Sequence, residues 1–143
     1  MPLPRVPCPW RSPKLLESIA TPQVPADLAL LPSLGLGVPQ GEHVWALFGP
    51  DGSQVAVHHQ PRLITRGMLA LRAAATAGLG VVQLPTMMVR EHFVRGELAQ
   101  VLPGWAPRRE IVHAVFSSRR GQLPSVRALI DFLVASFAAL DED

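Results

Sequence analysis

Between Thr65 and Pro85, in TRGMLALRAAATAGLGVVQLP, the apolar positions switch from helical spacing to an unbroken strand-like run across one glycine-rich turn. The stretch to Ala77 is dense in Leu, Ala and Arg, all strong helix formers, and predicts a helix whose first amides are capped by the Thr65 hydroxyl. Gly78 supplies the stop, since a glycine just past a helix takes positive φ without a Cβ clash, and Gly80 keeps the turn tight. Val81 to Leu84 then reads as a buried strand of an α/β sheet, closed by Pro85, because strict alternation is lost when both faces are covered.

The flanking patterns place further elements around this unit. Ser12-Pro13 predicts a helix start, with a capping serine, proline at the first helical position, and Leu15, Leu16 and Ile19 on one side. Pro22 and Pro25 end it, and Asp27 is placed to cap a further turn through Leu30. Ser33 to Gly37 is a weak strand whose two glycines imply close approach of another backbone. Val44 to Phe48 and Val55 to Val57 flank the turn Gly49-Pro50-Asp51-Gly52, which predicts a hairpin. Pro61 to Ile64 leads into the central helix. Thr86 is expected to cap a helix with Met87, Met88, Phe93 and Val94, ended by Gly96, and Leu98 to Leu102 forms a short strand. Ile111 to Phe116 is a compact apolar strand. Pro124 then opens a long helix with Val126, Leu129, Ile130, Leu133, Phe137 and Leu140 along one stripe. The start, MPLPRVPCPW, carries four prolines and no periodicity, so it neither sustains a helix nor donates fully to a sheet ladder, and is expected to be a loose tail.

Composition narrows the class. With 143 residues, 48% hydrophobic and 17% charged, the chain has the length and content of one globular domain rather than a disordered segment. The net charge of +2 is small, and the arginines are spread without a dense run, so nothing marks a nucleic-acid-binding surface. Arg108-Arg109 and Arg119-Arg120 are the tightest pairs, yet the strand between them would hold them roughly 20 Å apart. The single Cys8 makes neither an internal disulfide nor a metal-ligand spacing, and no apolar run reaches the ~20 residues of a membrane span. A cytoplasmic location, with no membrane partner, is the expectation.

Candidate chemistry is sparse. His58 and His59 are adjacent, so in a strand they face opposite ways and read as a surface pair rather than a metal grip; His43 and His113 lack ligand-spaced partners. No metal site, cofactor or catalytic constellation is expected. Gly35-Leu36-Gly37 lacks the third glycine and helix of a dinucleotide turn. Met87-Met88 reads as core filling. The amino end of the Thr65 helix is the stronger site, because free amides and the positive dipole end attract carboxylates by up to about 2 kcal/mol when partly buried, with Arg66 adding charge. The plain alternative, that Thr65 merely caps its own helix, stands beside it.

From Ser12 to Leu140 the chain resembles the later part of the effector-binding domain of LysR-type transcriptional regulators. The residues that carry the resemblance are, in order, RSPKLLESIATPQVPADL, WALFGPDG, PRLITRGMLALRAAATAGLGVVQLP, RGELAQVLPGW and VHAVFSSRRGQLPSVRALIDFLVASF. The resemblance implies an α/β fold, the Rossmann-like second lobe of a type 2 periplasmic-binding-protein-like domain, together with the returning strand and helix of an otherwise missing first lobe. Residues 1–11 would be a proline-rich tail, 12–102 the second lobe, and 103–143 the return segment.

The same resemblance implies an effector-binding wall at Gly37, Val38, Pro39, Thr65, Arg66 and Met68, with Ser12 where the crossover strand enters the second lobe. Many relatives carry an acidic residue about where Arg66-Gly67 stands, so the ligand's charge is not carried over. Nothing in the chain resembles the helix-turn-helix, so direct nucleic-acid binding is not implied, and a truncated or mis-started reading frame is expected. The implied function is capture of a small-molecule effector, a carboxylate being one candidate, without catalysis. The six stripe residues of the last helix represent roughly 9–18 kcal/mol if fully buried, so the helix repacks on the second lobe, is covered by another chain, or leaves the fold marginal; a homo-oligomer or association with a related regulator is the expectation. The rival reading is an interaction-only fragment that binds full-length regulators and no effector.

Overall fold

The computed structural model describes residues 8–18, 21–108, 113, 115 and 123–142. The chain divides into two compact units, Met1–Arg109 and Glu110–Asp143. In the first unit the elements run β1 (Cys8–Arg11), α1 (Pro13–Ser18), a 3-10 helix (Pro25–Leu30), β2 (Ser33–Leu36), β3 (Val44–Phe48), β4 (Gln54–His58), β5 (Pro61–Thr65), α2 (Met68–Thr76), β6 (Val82–Leu84), α3 (Thr86–Val94) and β7 (Ala99–Gln100). The second unit contains α4 (Pro124–Glu142).

β1 lies between β6 and β7, antiparallel to both, with Trp10 opposite Val82 on one side and Gln100 on the other. β2 and β5 are parallel, with Leu36 opposite Thr65. A parallel bridge from Ser33 to Val81 joins these groups, fixed by the Leu34 amide to the Val81 carbonyl at 2.8 Å and the Val81 amide to the Pro32 carbonyl at 2.8 Å. α2 therefore carries the chain from β5 across β2 to β6, the crossover connection that parallel strands require. Its buried Leu71 and Ala75 pack with Trp10, Leu34, Val82 and Leu84. A second cluster joins Leu15, Leu28, Trp45, Leu47, Val57, Val81, Val101 and Leu102. Alternation along β6 explains the split: Val81 faces the hairpin cluster, while Val82 and Leu84 face the helix cluster.

Cys8 to Arg11, expected in the loose tail, is instead a strand, and Trp10 is fully buried. Proline density misleads here because of where the missing donor falls. The Pro9 carbonyl accepts from the Val101 amide at 2.9 Å, so its nitrogen faces the β7 side, past the end of the β1–β7 pairing. The β1–β6 ladder loses no bond. Arg11, on the other face of the strand from Trp10, is buried with no partner for Nε among the described residues, and burial lowers its pKa. Residues 1–7 lie outside the described residues.

The hairpin β3–β4 forms as expected. Its turn is closed by Asp51, whose carboxylate accepts from the Ser53 amide at 3.0 Å and hydroxyl at 2.6 Å, which holds the Asp51 pKa below the usual value. Ser12 and Pro13 open α1 as expected, the Leu15 amide lying 3.4 Å from the Ser12 hydroxyl. Asp27 sits inside the 3-10 helix rather than before it, accepting from the Gln23 and Val24 amides at 2.8 and 3.0 Å. Those bonds depress its pKa. Pro61 to Thr65, anticipated only as a lead-in, is a full strand. Thr86 is the first helical residue of α3 rather than its cap, and Met87 and Val94 are exposed while Met88 and Phe93 pack on the core. The expected strand at 111–116 lies almost wholly outside the described residues. α4 matches the long helix, with Val126, Leu129, Leu133 and Phe137 on the expected stripe, all exposed, as are Phe132 and Val134 beyond it.

Gly80 sets the β2–β6 junction. A Cβ there would stand 2.7 Å from the Pro32 carbonyl oxygen and 3.1 Å from the Ser33 nitrogen, both backbone atoms that cannot turn aside. Gly80→Ala is therefore expected to destabilise the protein by about 1–3 kcal/mol, read as a lowered urea midpoint. An unchanged midpoint would contradict the close approach.

Candidate functional site

The carboxyl ends of parallel strands carry ligand sites in open α/β sheets, because the loops there open outward and the following helices point their amide ends at the same place. In this chain that edge is built from the segment after β2 and the segment joining β5 to α2. Gly37 follows β2 with φ of +135°, a conformation side chains rarely adopt, and its amide donates to the Thr65 carbonyl at 3.1 Å. The chain then turns through Val38, Pro39 and Gln40, with the Gly41 amide bonded to the Val38 carbonyl at 3.1 Å. Val38 and Pro39 are exposed.

Across from them, Thr65 ends β5, Arg66 is exposed, and Met68 begins α2. Thr65 does not cap the helix. Its hydroxyl accepts from the Gly67 amide at 3.1 Å, and Gly67 occupies the cap position without a side-chain cap bond. The reason is the pairing of Thr65 with Leu36: a residue committed to the β2–β5 ladder is extended too early to lie beside the first helical turn. The helix consequently starts later than the sequence suggests, and the amides of its first turn have no intrahelical partner. Exposed Leu36, Val38, Met68 and Leu69 give the same edge an apolar surround.

Six of the seven expected site residues thus converge: Gly37, Val38, Pro39, Thr65, Arg66 and Met68. Ser12 does not. It is buried, and its hydroxyl lies 3.1 Å from where a Cβ at Gly78 would stand, just past the carboxyl end of α2. The nine residues of α2 separate that end from Met68 by about 13 Å. Because β1 runs antiparallel to β6, its end points to the opposite edge of the sheet.

His59 corrects the surface-pair reading. It is buried, its Nδ1 lies 2.8 Å from the Ser33 hydroxyl, and its ring stacks on Trp45 with centroids 3.9 Å apart. Burial first, and then the neighbouring His43, push its pKa down to about 4. His58 does face solvent, as alternation requires. The available signal was the alternation itself, which puts His59 on the same side as buried Val57, where its amide continues the hairpin by donating to the His43 carbonyl at 3.0 Å. Among the described residues no cluster of His, Cys, Asp and Glu could hold a metal ion.

Residues 8–138 match the family model described as the LysR substrate binding domain. The chain belongs to this family. Over 130 residues it is 30% identical to an HTH-type transcriptional regulator of Xanthomonas campestris pv. campestris (strain 8004), covering 87% of this chain and 37% of that protein. It is 28% identical over 135 residues to the HTH-type transcriptional activator AaeR of Escherichia coli (strain K12), covering 94% and 43%. The chain therefore spans less than half the length of these curated relatives. Among solved structures it is similar to the regulatory domain of CrgA, a LysR-type transcriptional regulator from Neisseria meningitidis, with a TM-score of 0.69, 25% identity, and 91% of this chain and 64% of that one covered. The regulatory domain of AphB in Vibrio vulnificus shares the fold, with a TM-score of 0.71 at 21% identity over 90% and 64% of the two chains. The LysR match makes this a mixed α/β, periplasmic-binding-protein-like effector-binding domain of a transcriptional regulator, from a family that is not enzymatic. No helix among the described residues is long and apolar enough to cross a membrane.

Proposed function

We propose that this chain captures a small-molecule effector at the edge formed by Gly37, Val38 and Pro39 against Thr65, Arg66 and Met68. In this reading residues 12–102 act as the second lobe of the LysR effector domain and 103–143 as the segment returning to the first. The protein works in the cytoplasm as a homo-oligomer or with a related regulator, without touching nucleic acid through these residues. The Gly37–Thr65 hydrogen bond carries the proposal, since it ties both loops into one wall beside the amide end of α2. A small carboxylate suits that wall: the first-turn amides and Arg66 favour its charge, and Leu36, Val38 and Met68 favour an apolar body.

The test is thermal unfolding of the full chain with a panel of small aromatic and aliphatic acids, repeated on Arg66→Ala and Thr65→Val. A ligand that binds only the native state raises the transition temperature by mass action, and either substitution is expected to weaken that shift about tenfold in ligand concentration. A panel without effect on the parent chain, or a shift untouched by both substitutions, would sink this assignment. The exposed stripe of α4, with Val126, Leu129, Leu133 and Phe137, favours one second reading, an interaction-only fragment. A transition that rises with protein concentration yet ignores every ligand would select it.

A further inference from the structure

Taken alone, the effector wall is shallow. Val38, Pro39, Arg66 and Met68 are all exposed, whereas small-molecule sites bury most of their ligand's surface. The depth lies beside it. An open hollow of about 640 Å3 between the β2–β3 loop and the β4–β5 turn has Pro39 in its lining, and its Ile64 stands one residue before Thr65. Resting on the carboxylate reading of the wall, we infer that wall and hollow are one site for a monocarboxylate with an uncharged body. The wall takes the carboxylate and the hollow takes the body.

Strand alternation joins the two parts. Leu63 packs on the helix cluster, so Ile64 points to the opposite, hairpin face of β5, and Thr65, bonded to Gly37, ends the strand between hollow and helix. A ligand whose carboxylate takes the first amides of α2 therefore has the hollow just over the end of β5, with Pro39 bordering both. From Ile64 back to Pro61 the lining extends about 10 Å, at ~3.3 Å per residue, which accommodates a chain of about six carbons.

The charges of the hollow select the body. Its lining has no lysine or arginine, and Glu42 is its one carboxylate. His59 adds no positive charge at neutral pH, since burial and then the neighbouring His43 push its pKa down to about 4. A second carboxylate on the ligand would lose water against Pro39, Pro61 and Ile64 and meet Glu42 without a counter-ion. An ammonium gains little either, because Glu42 is exposed and one solvated ion pair barely offsets the ordering of its partners. An uncharged body gains from the apolar lining at no such cost.

The experiment is NMR of the full chain with labelled methionine and isoleucine methyls, titrated at pH 8 with hexanoate, adipate and 6-aminohexanoate, which differ only at the far end. Hexanoate is expected to shift the Met68 methyl on the wall and the Ile64 methyls in the hollow together, at least tenfold tighter than either of the others. Glu42→Lys, at an exposed position that leaves the core intact, is expected to bring adipate up to at least the affinity of hexanoate. A Met68 shift with Ile64 unmoved would leave the carboxylate wall standing and overturn the role of the hollow. Equal or tighter binding of adipate or 6-aminohexanoate to the parent chain, or adipate binding unmoved by Glu42→Lys, would overturn it as well. An Ile64 shift without Met68, or no shift of either, would sink the wall assignment itself and the shared site with it.

Discussion

Replacing Trp10 with alanine is expected to destabilise the protein by about 3–5 kcal/mol, among the largest effects any single core truncation produces. Trp10 is fully buried in the sheet's central strand, packs edge-on against Phe93 at 5.7 Å, and donates its indole N–H to the Leu84 carbonyl at 3.1 Å. Truncation removes the ring's transfer energy, leaves a cavity between α2, α3 and the sheet, and strips a buried carbonyl of its donor. Urea denaturation of the two proteins checks it through the midpoint at equal slope. A residue in a loose tail would cost less than about 0.5 kcal/mol, so the same measurement separates the strand from the tail.

Acidification from pH 6.5 towards pH 4 is expected to remove up to roughly 3 kcal/mol of stability through His59 alone. The folded protein holds this imidazole at about 4, whereas the unfolded chain titrates near the ordinary 6.5. Between those values the unfolded chain binds more protons, so stability is full above pH 6.5 and declines as pH falls through the window. Protonation would place a charge between Trp45 and the Ser33 hydroxyl, in a site already penalised by burial and by His43. The Asp27 and Asp51 carboxylates, with depressed pKa values, contribute stability present above the usual carboxylate value and lost only at lower pH, below this window. His59→Phe keeps a ring against Trp45 but cannot titrate, and its stability profile should flatten between pH 6.5 and 4.5. Parallel profiles for the two proteins would refute the assignment.

These cases show where a sequence pattern speaks and where it falls silent. The hairpin was legible because Gly49-Pro50-Asp51-Gly52 encodes its own turn, with every bond made within five residues. The end of α2 was legible for the same reason: Gly78 adopts φ of +85° one residue past the cap. The β1 strand was not, since its partners lie at β6 and β7, some 74 residues away for Trp10 and Leu84, and no local pattern announces them. His59 was misread because alternation separates the two rings without saying which face is covered, and the His59 face, shared with buried Val57, is the one that meets Trp45 and Ser33. The family resemblance named six residues, from both sides of the hairpin, that lie along one edge of the sheet, and also Ser12, which the antiparallel direction of β1 sends to the far edge.

What the sequence determined by itself was local: helix-forming runs, glycine stops, the turn chemistry of the hairpin, the apolar character of Val81 to Leu84, and membership of the LysR effector-domain family. The tertiary structure decided which strand is central, where α2 begins, which histidine is buried, and which loops share an edge. The division has one physical cause. Turns and caps are satisfied by bonds between near neighbours, which composition and spacing encode, whereas the sheet order and the pairing of Gly37 with Thr65 depend on backbone bonds between distant segments that carry no side-chain signature.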